Sequence, residues 1–325
     1  YRYDKFFGSY WMLAVVYKLS FIQVGVAAET VVYIANVTAA AWYSSCLCVV
    51  FFRLKVNRWL RAVAFVALSS PVVLLSSVLS SPNLFSLGWL LLVIHFLRLG
   101  CTKKSRWLLL GVTCVAFAAV ACRQDAVLVM PVLCFMSVGG GLFKSLKNPN
   151  CWGAFTGSVV ALLVSRFIGS GHAAGLGESF YFLPKVAAAY LVFGLGASLV
   201  LVLFLVGKLM ARRTLQGAFR AVAVLLPLAF YIGLLFSPRH LLLVPLVLLA
   251  SVVLPRGRVW WRSAASSKVG RCSLYLTFSG AVAMLFIGVK LPSPKSPVLT
   301  FSHGTLYPTA DGYWPMSGTL PFLLR

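Results

Sequence analysis

The chain has 325 residues, of which 61% are hydrophobic and only 10% charged. A water-soluble protein of this length carries about a quarter charged residues, so composition argues against a surface that faces water all round. The net charge of +24, from 29 Lys plus Arg against 5 Asp plus Glu, would suit nucleic acid. The cations, however, come in short clusters between long apolar runs, as in the cytoplasmic loops of membrane proteins, and no nucleic-acid partner is expected.

In chain order, residues 1–29 are expected to form a juxtamembrane segment. The run from Gly8 to Ala28 is apolar but has Lys18 at its centre, and a charge at mid-bilayer costs about 3 kcal/mol. Residues 10–26 are therefore expected to lie along the membrane surface. Lys18 then reaches the headgroups while Trp11, Leu13, Val15 and Phe21 enter the lipid.

A transmembrane helix needs about 20 mostly apolar residues, fewer where the ends snorkel. Runs of this kind fall at 30–52, 62–80, 84–97, 107–122, 126–143, 151–168, 186–207, 221–236, 240–254 and 273–289. The expected fold is an all-α polytopic bundle of about ten spans over residues 30–289, followed by a short outer tail at 290–325.

Charge sorts the loops. Arg53, Lys55, Arg58 and Arg61 lie in the first, and Arg98, Lys103, Lys104 and Arg106 in a second. Lys144 and Lys147 mark a third, Lys208, Arg212, Arg213 and Arg220 a fourth, and Arg256, Arg258, Arg262, Lys268 and Arg271 a fifth. These are alternate loops, so the positive-inside rule puts them in the cytoplasm. They contain no acid. Asp4, Glu29, Asp125, Glu178 and Asp311 all fall in segments assigned to the opposite side. An integral membrane location is expected, in a bacterial inner membrane or the endoplasmic reticulum, with carboxylate chemistry on the outer or lumenal face.

Cysteine usage gives no disulfide framework. Cys46, Cys48, Cys114, Cys122 and Cys134 sit in apolar runs, where a thiol packs as a small hydrophobe, and Cys101, Cys151 and Cys272 lie in or beside basic loops. No phosphate-binding loop, dinucleotide fingerprint or metal-ligand cluster is present.

The remaining candidates are polar groups at outer helix ends. Asp4, within Tyr1-Arg2-Tyr3-Asp4-Lys5, suits a general base that deprotonates an acceptor hydroxyl, or a surface acid paired with Arg2 or Lys5. Arg123-Gln124-Asp125 joins two spans with almost no loop. It suits either a hydroxyl-rich ligand or a self-paired turn. Ser237-Pro238-Arg239-His240 brings two potential cations to the bilayer edge, and an arginine fork fits a phosphate.

These segments carry a resemblance. Ser80-Ser81-Pro82-Asn83-Leu84-Phe85-Ser86, the span ending Ala121-Cys122-Arg123-Gln124-Asp125-Ala126, and Pro238-Arg239-His240-Leu241-Leu242 resemble the GT-C-fold glycosyltransferases, which use polyprenyl-phosphate-linked sugars. In that superfamily a catalytic acid lies in the first outer loop, after the first span. The resemblance thus implies a further span before Tyr1, about eleven in all, with Asp4 as the base. Asp4 has no adjacent second acid, unlike the Asp-Glu pair of many members, and the tail 290–325 is short.

The resemblance implies metal-independent, inverting sugar transfer at the outer or lumenal face, with no cofactor. The expected partners are the lipid-linked sugar donor, a glycan, lipid or protein acceptor, and membrane lipid. Arg239 and His240 would hold the donor phosphate, Arg123, Gln124 and Asp125 would line the sugar or acceptor site, and Glu178 is a second candidate base. The alternatives are a transporter or lipid flippase, and a non-catalytic membrane subunit of a larger complex.

Overall fold

The computed structural model describes residues 28–52, 54, 56–74, 81–102, 105–138, 147–168, 190–211, 214–230, 241–287, 299–301 and 304–306. These are almost wholly helical. In order they form α1 (Ala28–Phe51), α2 (Arg58–Leu68), α3 (Ser81–Gly100) and α4 (Arg106–Cys122). After a 3-10 segment (Gln124–Val129) come α5 (Met130–Ser137) and α6 (Pro149–Ile168). A π turn (Tyr190–Gly194) precedes α7 (Ala197–Met210) and α8 (Leu215–Phe230). Then come α9 (Leu243–Val253), α10 (Pro255–Ser266) and α11 (Lys268–Ile287). A two-stranded antiparallel pair, β1 (Leu299–Phe301) and β2 (Gly304–Leu306), lies in the expected tail.

Side-chain contacts give the direction of each helix. Arg98 Nη1 of α3 donates to the Val50 carbonyl of α1 at 2.9 Å, and Gly88 abuts Trp42, so α1 and α3 run parallel. Ser86 donates to the Ala119 carbonyl at 3.1 Å while Gly111 meets Phe96, so α3 and α4 run antiparallel. Ser198 donates to the Val66 carbonyl and Ser70 to the Gly194 carbonyl, which makes α2 and α7 antiparallel. Trp59 packs on Tyr275 and Phe65 on Phe278, which makes α2 and α11 parallel. The result is an up-and-down bundle in which the helix ends flanked by basic loops gather at one pole.

At the centre stands α9. All eleven of its residues are buried, and it touches α2, α3, α5, α7, α8 and α10. A helix that is apolar all round belongs in the interior, and Leu243, Val244, Leu246, Val247, Leu248 and Leu249 supply that. Helices α4 and α6 also approach closely. A Cβ on Gly157 would collide with the Thr113 carbonyl, and one on Gly153 would press on Leu109. This Gly153-x-x-x-Gly157 spacing lets two helix backbones meet directly.

Helix lengths differ from the expected spans. Among the described residues, one helix is long and apolar enough to cross a membrane, at Asn83–Gly100, and the bent pair α9 and α10 adds a second if counted as one. The expected run 62–80 breaks after Leu68, where Ser69 and Ser70 precede Pro71, because proline disfavours helical backbone in the residue before it. The run 126–143 opens as a 3-10 segment, which with α5 reaches about 24 Å at roughly 2.0 and 1.5 Å per residue.

The stretch 256–271, expected as a basic loop, is instead largely helix. Here α10 turns 87° from α9 and packs on α2, α5, α9 and α11. Gly257 permits this corner, since any Cβ there would strike the Ser251 backbone. The expected surface helix at 10–26 lies outside the described residues.

Candidate functional site

At the pole opposite the basic loops, α4 ends where Arg123 adopts an extended backbone, φ −161° and ψ 107°. Its amide is shared between the carbonyls of Ala119 and Val120, each at 3.1 Å, and its own carbonyl accepts from Ala126 at 3.0 Å. The kink lets side chains two residues apart converge. Arg123 Nε donates to Asp125 Oδ1 at 2.6 Å and Nη2 to Oδ2 at 2.6 Å, in a parallel fork. Nη1 donates to Asn83 Oδ1 at 3.1 Å, near the start of α3.

This cluster is deep. Arg123 is 1% exposed and Asn83 3%, and the Asp125 side chain is 9% exposed. Gln124 between them is half-buried. A buried pair needs good geometry and further hydrogen bonds to offset its desolvation, and the double fork with the amide of Asn83 provides both. Held through both oxygens, the Asp125 carboxylate is fixed in place against the guanidinium. Asp125 in turn fixes Arg123, which draws Asn83 and the start of α3 against the end of α4.

Of the residues singled out in the sequence, the structure brings Arg123 and Asp125 together, with Gln124 beside them. Asp4, Glu178, Arg239 and His240 lie outside the described residues. Asn83 was not given a role by the sequence, although it sits in one of the segments that carry the resemblance. Its amide lies in the first turn of α3, at the bundle end shared with Arg123, but the pairing itself depends on how α3 packs against α4.

The opposite pole holds thiols. Cys101 Sγ donates to the Ser137 carbonyl at 2.8 Å and the Leu97 carbonyl at 3.1 Å. Burial, reinforced by Cys151 nearby, pushes its pKa up to about 11, so at neutral pH it stays a thiol and a weak nucleophile. Among the described residues, no three His, Cys, Asp or Glu side chains gather in a way that could hold a metal ion.

No family model, no curated protein and no solved structure matches this chain.

Proposed function

We propose that the chain is an integral membrane glycosyltransferase that moves a sugar from a polyprenyl-phosphate donor to an acceptor at the outer or lumenal face. The carrying observation is the Asn83–Arg123–Asp125 cluster. Two of the segments that resemble the GT-C-fold enzymes are distant in sequence yet meet through these side chains, at the pole away from the basic loops.

Bilayer residence is supported by what the helices turn outward. Exposed apolar side chains include Trp152, Val159, Val160, Leu163 and Phe167 on α6 and, beyond the exposed Lys268 and Arg271 at its start, Tyr275 and Leu276 on α11. Helices of a soluble bundle direct charged residues there, and continuous apolar faces mark contact with lipid or another apolar partner. Several interior hydroxyls bond within their own helix, Ser158 to the Ala154 carbonyl, Ser165 to Ala161 and Thr277 to Ser273, and Ser86 and Ser198 bond to carbonyls of neighbouring helices, so no water is needed to satisfy them. About ten spans thread the bilayer, the basic pole is cytoplasmic, and α10 lies along that surface outside the spans.

In the reaction, Asp4 takes the proton of the acceptor hydroxyl as its oxygen attacks the anomeric carbon. The bond from that carbon to the phosphate oxygen breaks with inversion, and the leaving phosphate carries away the electron pair. Arg239 and His240 stabilise its charge. The buried Arg123–Asp125 fork sets the frame in which the sugar or acceptor lies, with Glu178 the second candidate base. No metal or cofactor is required.

The test is reconstitution of the full chain in vesicles with radiolabelled polyprenyl-phosphate mannose, glucose or arabinose and a lipid extract as acceptor. Label is expected to move to the acceptor, and to stop with Asp4→Asn. Transfer that is undiminished in Asp4→Asn and Glu178→Gln together would remove the mechanism. No transfer from any of the three donors would count against the enzyme reading.

A further inference from the structure

The basic pole carries more positive charge than its surroundings compensate. Arg258 of α10 donates from Nε to the Val252 carbonyl at 2.9 Å, but its Nη2 is buried without a hydrogen-bond partner, as is Nε of Arg256. Burial first, then the like charges of Arg98 and Arg262, press the Arg258 pKa below its usual value. The flanking basic segments contain no Asp or Glu. Guanidinium groups remain charged regardless, so this repulsion persists in the folded protein unless an anion relieves it.

Beside this cluster is an open cavity of about 590 Å³ lined by Leu54, Val56, Asn57, Leu60, Arg61 and Arg262. Two arginines from separate elements, α2 and α10, thus border one space. The cavity also meets the first turn of α2. That turn contains no acid, and Asn57 caps it by accepting from the Leu60 amide at 2.9 Å. A helix N-terminus adds partial positive charge where an anion would sit.

We propose that this cavity is a binding site for a phosphate group, held between the guanidinium forks of Arg61 and Arg262. Arg258, on which the charges of both Arg262 and Arg98 act, adds to the positive field. Arginine forks match the geometry of phosphate oxygens. The phosphate is either the headgroup of an anionic membrane lipid or free in solution. Leu54, Val56 and Leu60 on the wall favour the lipid, whose glycerol and acyl carbons they would cover. Basic pockets on the cytoplasmic side suit such headgroups on general grounds.

The inference uses the bilayer placement proposed above and not the sugar transfer. Resistance of the chain to alkaline carbonate extraction reports on that placement by itself. The experiment is the thermal midpoint of the full chain in a neutral detergent, titrated separately with dihexanoyl phosphatidate, dihexanoyl phosphatidylcholine and inorganic phosphate. Phosphatidate is expected to raise the midpoint saturably, and phosphatidylcholine to leave it unchanged.

Each arginine contributes about fivefold to the apparent affinity, so R61Q/R262Q should weaken it roughly twenty-five-fold. R106Q/K147Q removes two charges beside a different cavity at the same pole and should leave it within about twofold. Where R61Q/R262Q does not fold, Arg262→Lys alone carries the test, since its side chain is exposed, and it is expected to weaken binding through loss of the fork. An equal response to inorganic phosphate assigns the site to free phosphate. No response to either phosphate compound, or equal weakening by the two double variants, would overturn the proposal.

Discussion

The indole Nε1 of Trp261 donates to the hydroxyl of Ser251 at 2.6 Å, across the corner where α9 gives way to α10. Ser251 in turn donates to the Leu248 carbonyl at 2.6 Å. Both side chains are buried, so the chain of bonds holds the corner without solvent. Ser251→Ala leaves the indole N–H buried and without its acceptor, and should destabilise the protein by about 1–3 kcal/mol. Ser266→Ala, at an exposed hydroxyl on α10, should change stability by less than about 0.5 kcal/mol. Thermal midpoints in detergent compare the two.

The Arg123–Asp125 fork gives a second test. Removing only the carboxylate strands a buried cation, so Asp125→Ala should cost about 3–5 kcal/mol. Replacing both partners by apolar residues, Arg123→Met with Asp125→Leu, should cost less than the single change. A double-mutant cycle on unfolding free energy reads the coupling. Additive effects would mean that the fork is not a unit.

Close approach of α4 and α6 depends on glycine. Gly157→Ala pushes a methyl into the Thr113 carbonyl, and should destabilise by about 1–3 kcal/mol. Gly207→Ala, on α7, meets nothing within 4 Å and should be neutral or stabilising by up to about 1 kcal/mol through helix propensity. The same pair of substitutions in a thermal assay separates backbone packing from propensity.

Arg239 bears on catalysis. Under the proposed reaction, Arg239→Ala should lower sugar transfer by at least about a hundredfold, and Arg239→Lys by less, because lysine keeps the charge while losing the fork. Both variants turning over a polyprenyl-phosphate sugar at the normal rate would make Arg239 a helix anchor.

Topology is tested by a cysteine at position 103. In sealed vesicles of known orientation, Lys103→Cys should react with a membrane-impermeant maleimide only from the cytoplasmic side. Labelling from outside would reverse the assignment of the basic pole.

Much of the helix plan was legible in the sequence. The run expected at 107–122 is α4 at Arg106–Cys122, and that at 151–168 lies within α6 at Pro149–Ile168, because apolar length alone marks such elements. Charge alternation anticipated which helix ends gather together. What was missed lies where hydropathy is silent. Trp260, Trp261, Ala264 and Ala265 are the buried face of α10, and their helical spacing was visible, but the intervening arginines and serines made the stretch read as a loop. The Gly153–Gly157 spacing is likewise a local pattern that hydropathy does not weigh. Of the site, the turn Arg123-Gln124-Asp125 was anticipated, and its self-pairing was one of two readings. The partnership with Asn83 depends on the antiparallel packing of α3 and α4, which no local pattern encodes.

The position of α10 has a consequence for how the protein is made. It touches α2 and α5 from the early part of the chain as well as α9 and α11 from the late part. The early helices therefore wait with that surface uncovered until residue 266 has left the ribosome. Assembly of the basic pole is then a late, long-range event in biosynthesis, of the slow kind that pairing distant segments imposes. A chain that stops translation at Leu254 would hold most of its helices and lack the piece that joins them.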